Sequence, residues 1–258
     1  MSLIVLASDD VGFRMVQWLA ERGEPIGIVA LDPGDRGGWN ERIRDLLSRT
    51  SGATALLDGA SLAEEEILDR IERTAPALGL LAWWPRILKG RILGIPRMGW
   101  LNVHPALLPY NRGKHPNFWC LADQTPCGVS LHFVDEGVDT GDVVAQARLE
   151  VGWEDTGESI HRRSRDLILE LFQENYDRIK AGGAVRVPQE PGSGSFHRAA
   201  EIDQALRIDL DAPSTPRQVF NVIRARMFPP HPTATFRDGG RTYSVQILIK
   251  ELKDKADD

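Results

Sequence analysis

Short apolar runs alternate with amphipathic stretches in the first part of the chain. Leu3–Ala7 and Ile26–Leu31 are short and apolar, whereas residues 11–22 between them repeat their apolar positions at the spacing of a helix. Two later stretches, residues 39–47 and 62–71, show the same helical spacing. Alternation of this kind is typical of βαβ units around a parallel sheet.

Two further runs have the pattern of buried strands. Residues 78–84 are apolar on both faces, as expected at the centre of a parallel sheet. Trp100–His104 is a second such run, and it ends at a His-Pro step that breaks regular structure. Together these patterns predict an α/β fold with a Rossmann-like, mostly parallel sheet flanked by helices.

The segment after His104 contains a loop and several further elements. They are a loop punctuated by proline and glycine over residues 105–116, a helix over 116–123, and strands over 128–134 and 143–151. Asp155 and Glu158 have the spacing of a capping box, which predicts a long helix from that point to the glycines at 182 and 183.

A stretch rich in proline, glycine and serine, residues 188–195, divides the chain. After it come a helix candidate over residues 216–226 and two strand candidates around Asp238-Gly239-Gly240. The predicted organisation is an α/β domain over residues 1–185, a linker over 186–198 and a small C-terminal α+β subdomain over 199–258, whose residues 253–258 we expect to fray.

Composition narrows the class of protein. The 258 residues are 42% hydrophobic and 26% charged, which is enough apolar material for a buried core. The formal net charge of −6 disfavours a nucleic-acid partner. Two cysteines cannot form a disulfide framework and no Cys/His group has zinc spacing, so we expect no metal. Without a basic leader or an apolar run near the ~20 residues of a membrane span, we expect a soluble, cytoplasmic protein with no membrane partner.

Basic residues nevertheless gather near the C-terminus. Over residues 217–253 the chain carries seven lysines and arginines against two acids. Such a patch can receive a phosphate, or it can be a solvated basic face, and the sequence leaves both open.

Asn102 and His104 are the first candidates for chemistry. They are two positions apart on a predicted strand, so their side chains share one face at its carboxyl end, where open α/β sheets place their ligands. Alone, such a pair is also typical of structural polar groups that are hydrogen-bonded in the core.

The surrounding sequence carries a longer signature. Asn102-Val103-His104-Pro105 is followed by a Leu-Leu-Pro loop at 107–109 and, further on, by the turn Val138-Asp139-Thr140-Gly141. This stretch resembles the folate-dependent formyltransferases, and the similarity extends over about residues 1–180. The resemblance implies the formyltransferase fold, a catalytic domain over residues 1–185, and catalytic roles for Asn102, His104 and Asp139.

Those three residue types suit formyl transfer from 10-formyltetrahydrofolate to an amine. As the amine attacks the formyl carbon, negative charge develops on the carbonyl oxygen, and the Asn102 amide with a protonated His104 can donate hydrogen bonds to it. A carboxylate such as Asp139 favours the imidazolium form, orients its ring and can hold a water that carries protons away. The sequence does not identify the proton path.

By position, the resemblance also implies a pocket for the pterin ring of this cosubstrate. Its expected lining comes from two loops: Trp83, Trp84, Arg86, Ile87 and Leu88 on one side, and Asp135, Gly137 and Val138 on the other. Packing alone is the other interpretation of the two tryptophans, and only Asp139 among the acids of the second loop is given a catalytic role.

Within the resemblance, the chain is most similar to the nucleotide-sugar N-formyltransferases, which implies a dTDP- or GDP-linked amino-deoxy sugar as acceptor and a place in O-antigen (lipopolysaccharide) biosynthesis. Candidate substrate contacts are Arg112, Lys114, His115, Arg198 and Arg224. The C-terminal hairpin suggests a homodimer, as a hypothesis only.

Particular features of the sequence bear on other acceptors and other reactions. The two carboxylates of Ser8-Asp9-Asp10 would repel the phosphate of glycinamide ribonucleotide. A methionyl-tRNA formyltransferase is an alternative, although the net charge and the roughly 60 residues after the linker argue against it. A formyltetrahydrofolate hydrolase, with water as nucleophile, is a second alternative. No Gly-x-Gly-x-x-Gly follows the first strand, which argues against an oxidoreductase.

Overall fold

A seven-stranded sheet organises the chain, and the computed structural model describes residues 2–50 and 54–252. The strands are β1 (Leu3–Ala7), β2 (Ile26–Leu31), β3 (Ala55–Asp58), β4 (Leu78–Ala82), β5 (Trp100–His104), β6 (Arg112–Gly113), β7 (Gly128–Phe133), β8 (Val143–Arg148), β9 (Phe196–His197), β10 (Arg207–Ile208), β11 (Ala234–Asp238) and β12 (Arg241–Val245). The helices are α1 (Asp9–Glu21), α2 (Trp39–Ser48), α3 (Glu65–Arg73), α4 (Pro116–Ala122), α5 (Gly157–Lys180), α6 (Glu201–Ala205) and α7 (Pro216–Ala225).

The sheet has the strand order β3-β2-β1-β4-β5-β7-β8. Neighbouring strands from β3 to β5 pair in parallel, whereas β5 and β7 pair antiparallel. The predicted α/β class with a mostly parallel sheet is therefore confirmed. The strand predicted over 78–84 ends two residues early, because Trp83 adopts a left-handed backbone conformation with φ of 61°.

The described chain divides into two compact units. The first unit comprises the described parts of residues 1–104, 130–146 and 167–190, and the second comprises those of 105–129, 147–166 and 191–258. The domain boundaries predicted above stay a prediction, and residues 253–258 lie outside the described part of the chain. No helix in the described part is both long enough and apolar enough to cross a membrane.

The core of the first unit lies against the sheet. The side chains of β1 and β4 are buried on both faces, as the unbroken apolar runs predict. The indole of Trp100 is 1% exposed, and a Cβ added to Gly79 would stand 2.3 Å from it. Only glycine on β4 leaves room for this ring, so the pair fixes how the two parallel strands β4 and β5 pack.

Helix α5 begins one residue later than the predicted capping box implies. The capping box is formed by Thr156 and Ser159, whose side-chain oxygens each accept a hydrogen bond from the other's backbone N–H, at 3.2 and 2.9 Å. The expected Asp155–Glu158 box is therefore wrong. Asp155 instead accepts hydrogen bonds from Ser159 Oγ at 2.7 Å and from Arg163 Nη1 at 3.0 Å. The start of α5 differs from the prediction because Thr156, rather than the neighbouring acid, takes the capping position.

The second unit contains two small sheets and packed helices. Strands β10, β11 and β12 form one sheet, in which the predicted hairpin turns at Asp238-Gly239-Gly240. Strand β9 pairs in parallel with β6, so His197 lies opposite Gly113. Helix α7 starts with a capping box between Thr215 and Gln218, with proline at its first position.

Candidate active site

Four polar side chains share one face of β5 and β7. The antiparallel register places Asn102 opposite His132, and His104 opposite Ser130. Residues two apart on a strand point to the same side, so two polar positions on each strand form a patch inside an otherwise apolar sheet. His104, Ser130 and His132 are all less than 7% exposed.

The Asn102 amide is oriented by His132. Nδ1 of His132 lies 3.0 Å from the carbonyl oxygen of Phe133, so this nitrogen carries the proton. In the neutral ring Nε2 is then an acceptor, and the Asn102 Nδ2 amide donates to it at 3.0 Å. This contact fixes which end of the Asn102 side chain is the NH₂ group.

The third candidate, Asp139, stands in a tight turn between β7 and β8. Its φ is 54°, a left-handed conformation that is uncommon outside glycine. Asp135 stabilises the turn by accepting hydrogen bonds from the Gly137 backbone at 3.0 Å and from Thr140 Oγ1 at 2.7 Å. At Gly141 an added Cβ would stand 1.9 Å from the Phe133 carbonyl oxygen, so only glycine permits this approach of the turn to β7.

Asp139 Oδ1 lies close to three ring and amide nitrogens. The distances are 3.4 Å to Asn102 Nδ2, 3.7 Å to His104 Nδ1 and 3.6 Å to His132 Nε2. Nε2 of His132 already accepts the Asn102 amide, so His104 is the ring whose protonated form this carboxylate can favour. The structure thus brings Asp139 next to Asn102 and His104, two residues of β5 that are far from it in sequence, in one cluster of the first unit.

The segment expected to line one side of a pterin pocket divides into buried and exposed residues. Trp84 and Leu88 are each 8% exposed and belong to the apolar core, where Trp84 packs over Gly59. Trp83 is half-buried, while Arg86 and Ile87 are exposed. The structure therefore gives Trp84 and Leu88 a packing role and leaves Arg86 and Ile87 accessible.

On the opposite loop, the structure places the remaining expected pterin contacts near Asp139. Asp135 and Gly137 are exposed, and Val138 is half-buried. Asp135 uses its carboxylate to stabilise the turn. The loop is therefore held by hydrogen bonds among its own residues.

The expected substrate-binding residues lie in the second unit, and they differ in availability. Arg224 is 8% exposed and donates from Nη1 to the carbonyl oxygens of Gly152, Trp153 and Asp155, at 2.6, 3.3 and 3.3 Å. Burial lowers its pKa, although the Asp155 carboxylate opposes the change. A guanidinium engaged in this way holds the fold of the second unit together.

The other four residues are accessible to different degrees. Lys114 and Arg198 are exposed. Arg112 is half-buried and donates to the Ser193 carbonyl oxygen at 3.4 Å. His115 precedes α4 with a φ of 59°. Its pKa is lowered, first by burial and then by the positive charges of Arg226, Lys114 and His231.

Two members of this cationic group, Arg226 and His231, were not among the predicted site residues. Nor were His132 and Gln189, which lie near Asp139. His132 could have been found, because the alternation of residues 128–133 puts it on the same face as Ser130. Gln189 donates from Nε2 to the carbonyl oxygens of Asp139 and Gly141, at 2.9 and 2.8 Å, and no local pattern signals that contact.

The part of the chain that contains this cluster matches a known family. Residues 38–175, more than half of the chain, match the formyl transferase family. The chain belongs to this family. Residues 201–251 of this formyltransferase match a second family, the N-formyltransferase dimerization C-terminal domain. The predicted N-formyltransferase class is confirmed.

A curated relative and two solved structures illustrate the similarity. The methionyl-tRNA formyltransferase of Geobacter sulfurreducens is 30% identical over 96% of this chain and 78% of its own. A 4-N formyltransferase from Francisella tularensis has a TM-score of 0.78 at 19% identity, over 97% of this chain and 98% of that one. An N-formyltransferase from Helicobacter canadensis, in complex with folinic acid and dTDP-3-aminofucose, has a TM-score of 0.69 at 16% identity, over 92% and 84%.

At identities below 25% the two structures establish the shared fold and nothing finer. Within the described residues, no group of three or more His, Cys, Asp or Glu side chains is arranged to hold a metal ion.

Proposed function

We propose that this formyltransferase moves the formyl group of 10-formyltetrahydrofolate to the amine of a nucleotide-linked amino-deoxy sugar. The observation that carries the proposal is the convergence of Asn102, His104 and Asp139, with Asp139 Oδ1 3.4 to 3.7 Å from the nitrogens of the other two. An amide, an imidazole and a carboxylate in contact are the groups that acyl transfer to nitrogen requires.

In the proposed mechanism the amine nitrogen attacks the formyl carbon, and charge develops on the formyl oxygen. One hydrogen of the Asn102 amide is held by His132 at 3.0 Å, whereas its contact to Asp139 is long at 3.4 Å. The formyl oxygen can replace Asp139 as the acceptor of this second hydrogen, and the His104 imidazolium donates a further hydrogen bond to it. Asp139 stabilises that imidazolium from the Nδ1 side.

Completion of the transfer needs proton movement. The new carbon–nitrogen bond forms as the bond from the formyl carbon to the folate nitrogen breaks. The attacking nitrogen loses a proton, and the folate nitrogen gains one. Asp139 is the carboxylate nearest the reacting groups, and its side chain is 14% exposed. We assign it the role of holding the water that passes these protons.

For the formyl donor, we propose contacts from the exposed residues Arg86 and Ile87 and from the loop residues Asp135, Gly137 and Val138. Ile87 is 58% exposed, so its side chain is accessible to a flat ring system. The Helicobacter canadensis neighbour was solved with folinic acid, which supports a reduced folate as the donor here.

For the acceptor, the support comes from the C-terminal domain and the cationic residues of the second unit. Residues 201–251 match the N-formyltransferase dimerization domain, and the Helicobacter canadensis neighbour binds dTDP-3-aminofucose. We assign Lys114, His115 and Arg226 to the diphosphate, with Arg112, Arg198 and His231 as further candidates. A dTDP or GDP carrier, a homodimer, a cytoplasmic location and a role in O-antigen biosynthesis stay predictions.

Methionyl-tRNA is the second candidate acceptor, because the curated Geobacter sulfurreducens relative carries that name at 30% identity. The net charge of −6 disfavours a tRNA partner on electrostatic grounds. Hydrolysis of the formyl donor is the third reaction to be distinguished.

Tetrahydrofolate release from 10-formyltetrahydrofolate separates these three reactions. The assay is run without an acceptor, with dTDP-, GDP- and UDP-linked amino sugars, and with methionyl-tRNA. The proposal expects release that depends on one of the amino sugars, with the formylated sugar detected by mass spectrometry. Release only with methionyl-tRNA, or equal release without any acceptor, would contradict it.

A further inference from the structure

We propose that Gln189 is a positioning residue for the catalytic carboxylate of Asp139. The inference rests on the proposed function, since it assumes the catalytic role of Asp139. It concerns a residue that reaches the turn from elsewhere in the chain. Gln189 lies in a stretch whose composition had predicted a linker.

The contacts are specific to an amide. Gln189 Nε2 donates to the carbonyl oxygens of Asp139 and Gly141, at 2.9 and 2.8 Å. Both partners are acceptors, so the NH₂ end of the side chain must face them. A single amide therefore closes both ends of the three-residue stretch from Asp139 to Gly141.

That stretch has features that need support. Asp139 has a φ of 54°, which a non-glycine residue rarely adopts. Gly141 approaches Phe133 so closely that an added Cβ would meet its carbonyl oxygen at 1.9 Å. Within residues 2–50 and 54–252, the buried Oε1 of Gln189 has no hydrogen-bond partner, so replacing Gln189 by leucine removes the two donated bonds and no other hydrogen bond of that side chain.

Gln189 is itself held by the segment 186–189, which we call the strap. Val187 pairs with Val143 of β8 in an antiparallel bridge, with mutual backbone hydrogen bonds of 2.8 Å. Arg186 donates to the Met98 carbonyl oxygen at 2.8 Å, and its guanidinium lies 3.4 Å from the centre of the Phe133 ring. The strap thus contacts β8 through Val187 and β7 through Arg186, the two strands that flank the turn. These contacts fix the backbone from which Gln189 reaches Asp139.

Displacement of Asp139 should affect chemistry more than binding. Catalytic groups must be held to within about 0.5 Å of their productive geometry, and an error of about 1 Å can reduce rates by about a hundredfold. The Asp139 carboxylate favours the protonated form of His104 from 3.7 Å, and this effect weakens with distance.

The test compares Gln189→Leu and Gln189→Glu with Gln17→Glu. Leucine keeps most of the volume, and glutamate keeps the shape but sets an oxygen against two carbonyl oxygens. Gln17→Glu adds the same charge on α1, where Gln17 donates to Glu21. The measurements are kcat, KM for 10-formyltetrahydrofolate, the pH profile of kcat, the melting temperature and a crystal structure of Gln189→Leu.

We expect both Gln189 variants to fold and to lower kcat by about ten- to a hundredfold, with KM for the formyl donor within about threefold of the wild type. The alkaline limb of the kcat profile should move to lower pH, because a displaced carboxylate no longer favours protonated His104. In the crystal structure, Asp139 Oδ1 should lie farther than 3.7 Å from His104 Nδ1. Gln17→Glu should match the wild type in kcat, in KM and in the pH profile.

An unchanged kcat and pH profile, or an Asp139 that stays in place in the crystal structure, would overturn the proposal. So would variants that fail to fold, because Gln189 would then be a residue of the fold rather than of the site. The crystal structure needs no acceptor, so it tests the positioning even if no nucleotide sugar is a substrate. A moved Asp139 with unchanged formyl transfer would instead remove the catalytic role proposed for Asp139.

Discussion

The Asn102 side chain donates a hydrogen bond to Nε2 of His132 at 3.0 Å, across the antiparallel pair of β5 and β7. His132 in turn donates from Nδ1 to the Phe133 carbonyl oxygen. These two hydrogen bonds set the tautomer of the His132 ring and the orientation of the Asn102 amide. A residue outside the predicted catalytic set therefore decides how one member of that set faces its substrate.

Replacing His132 by phenylalanine should lower kcat by about tenfold, because it keeps the ring and removes the acceptor that orients Asn102. The loss corresponds to about 1.4 kcal/mol, near the value of one hydrogen bond. Steady-state kinetics with a saturating formyl donor measure it. Leu131→Met, on the opposite face of β7, is the matched core control. Equal losses in both variants would mean that the effect is only structural.

The pairing of Gly79 with Trp100 can be tested by stability alone. Gly79→Ala places a methyl group 2.3 Å from the Trp100 ring, so we expect a loss of about 1 to 3 kcal/mol in the free energy of unfolding. Gly94→Ala is the control, since an added Cβ there meets nothing within 4 Å. Urea denaturation of both variants is the measurement. A Gly79→Ala chain as stable as Gly94→Ala would contradict the packing described here.

Alanine variants of Arg224 and Arg226 should differ, since the first should reduce stability and the second should weaken substrate binding. Arg224→Ala removes donors to three carbonyl oxygens and should lower the free energy of unfolding by about 2 to 4 kcal/mol. Arg226→Ala loses the hydrogen bond from Nε to the Pro232 carbonyl oxygen. It should mainly raise KM for the nucleotide sugar by about tenfold. Thermal denaturation and acceptor kinetics distinguish them. A reversed pattern would move the substrate role back to Arg224.

Asp155 should make the protein sensitive to acid. Burial works against its charged form, but hydrogen bonds from Ser159, Gly152 and Arg163 outweigh burial and hold its pKa below the ordinary value of 3.8. A carboxylate whose pKa is lowered in the folded protein stabilises the fold at pH values above its ordinary pKa. This contribution is lost as the pH falls through the pKa of the folded protein. The wild type should therefore lose more stability than Asp155→Asn between pH ~5 and ~2 in thermal melts. Parallel curves for the two proteins would refute this.

Much of the fold could be predicted because its signals are local. The apolar runs at β1 and β4 are buried on both faces, and that burial makes them continuous in sequence. Boundaries were less predictable where short polar residues compete for one position. At α5 the predicted box Asp155–Glu158 and the observed box Thr156–Ser159 are offset by one residue, and the structure shows that Asp155 is instead engaged with Arg163.

The candidate site was predictable to the extent that its residues stand on strands. Asn102 and His104 follow from the alternation of β5, and the same reasoning applied to β7 identifies His132. Gln189 did not follow, because its importance depends on where the strap meets a turn 50 positions earlier in the chain. Arg224 looked available because clustered charge in sequence does not reveal burial.

The most direct test of the central claim is the turnover of Asn102→Ala, His104→Ala and Asp139→Ala with 10-formyltetrahydrofolate and the accepted amine, alongside a Ser130→Ala control on the same face. The account predicts that each of the three lowers kcat by about a hundredfold or more while the melting temperature and folinic acid binding stay near those of the wild type. Near-normal turnover in the His104 variant would contradict it.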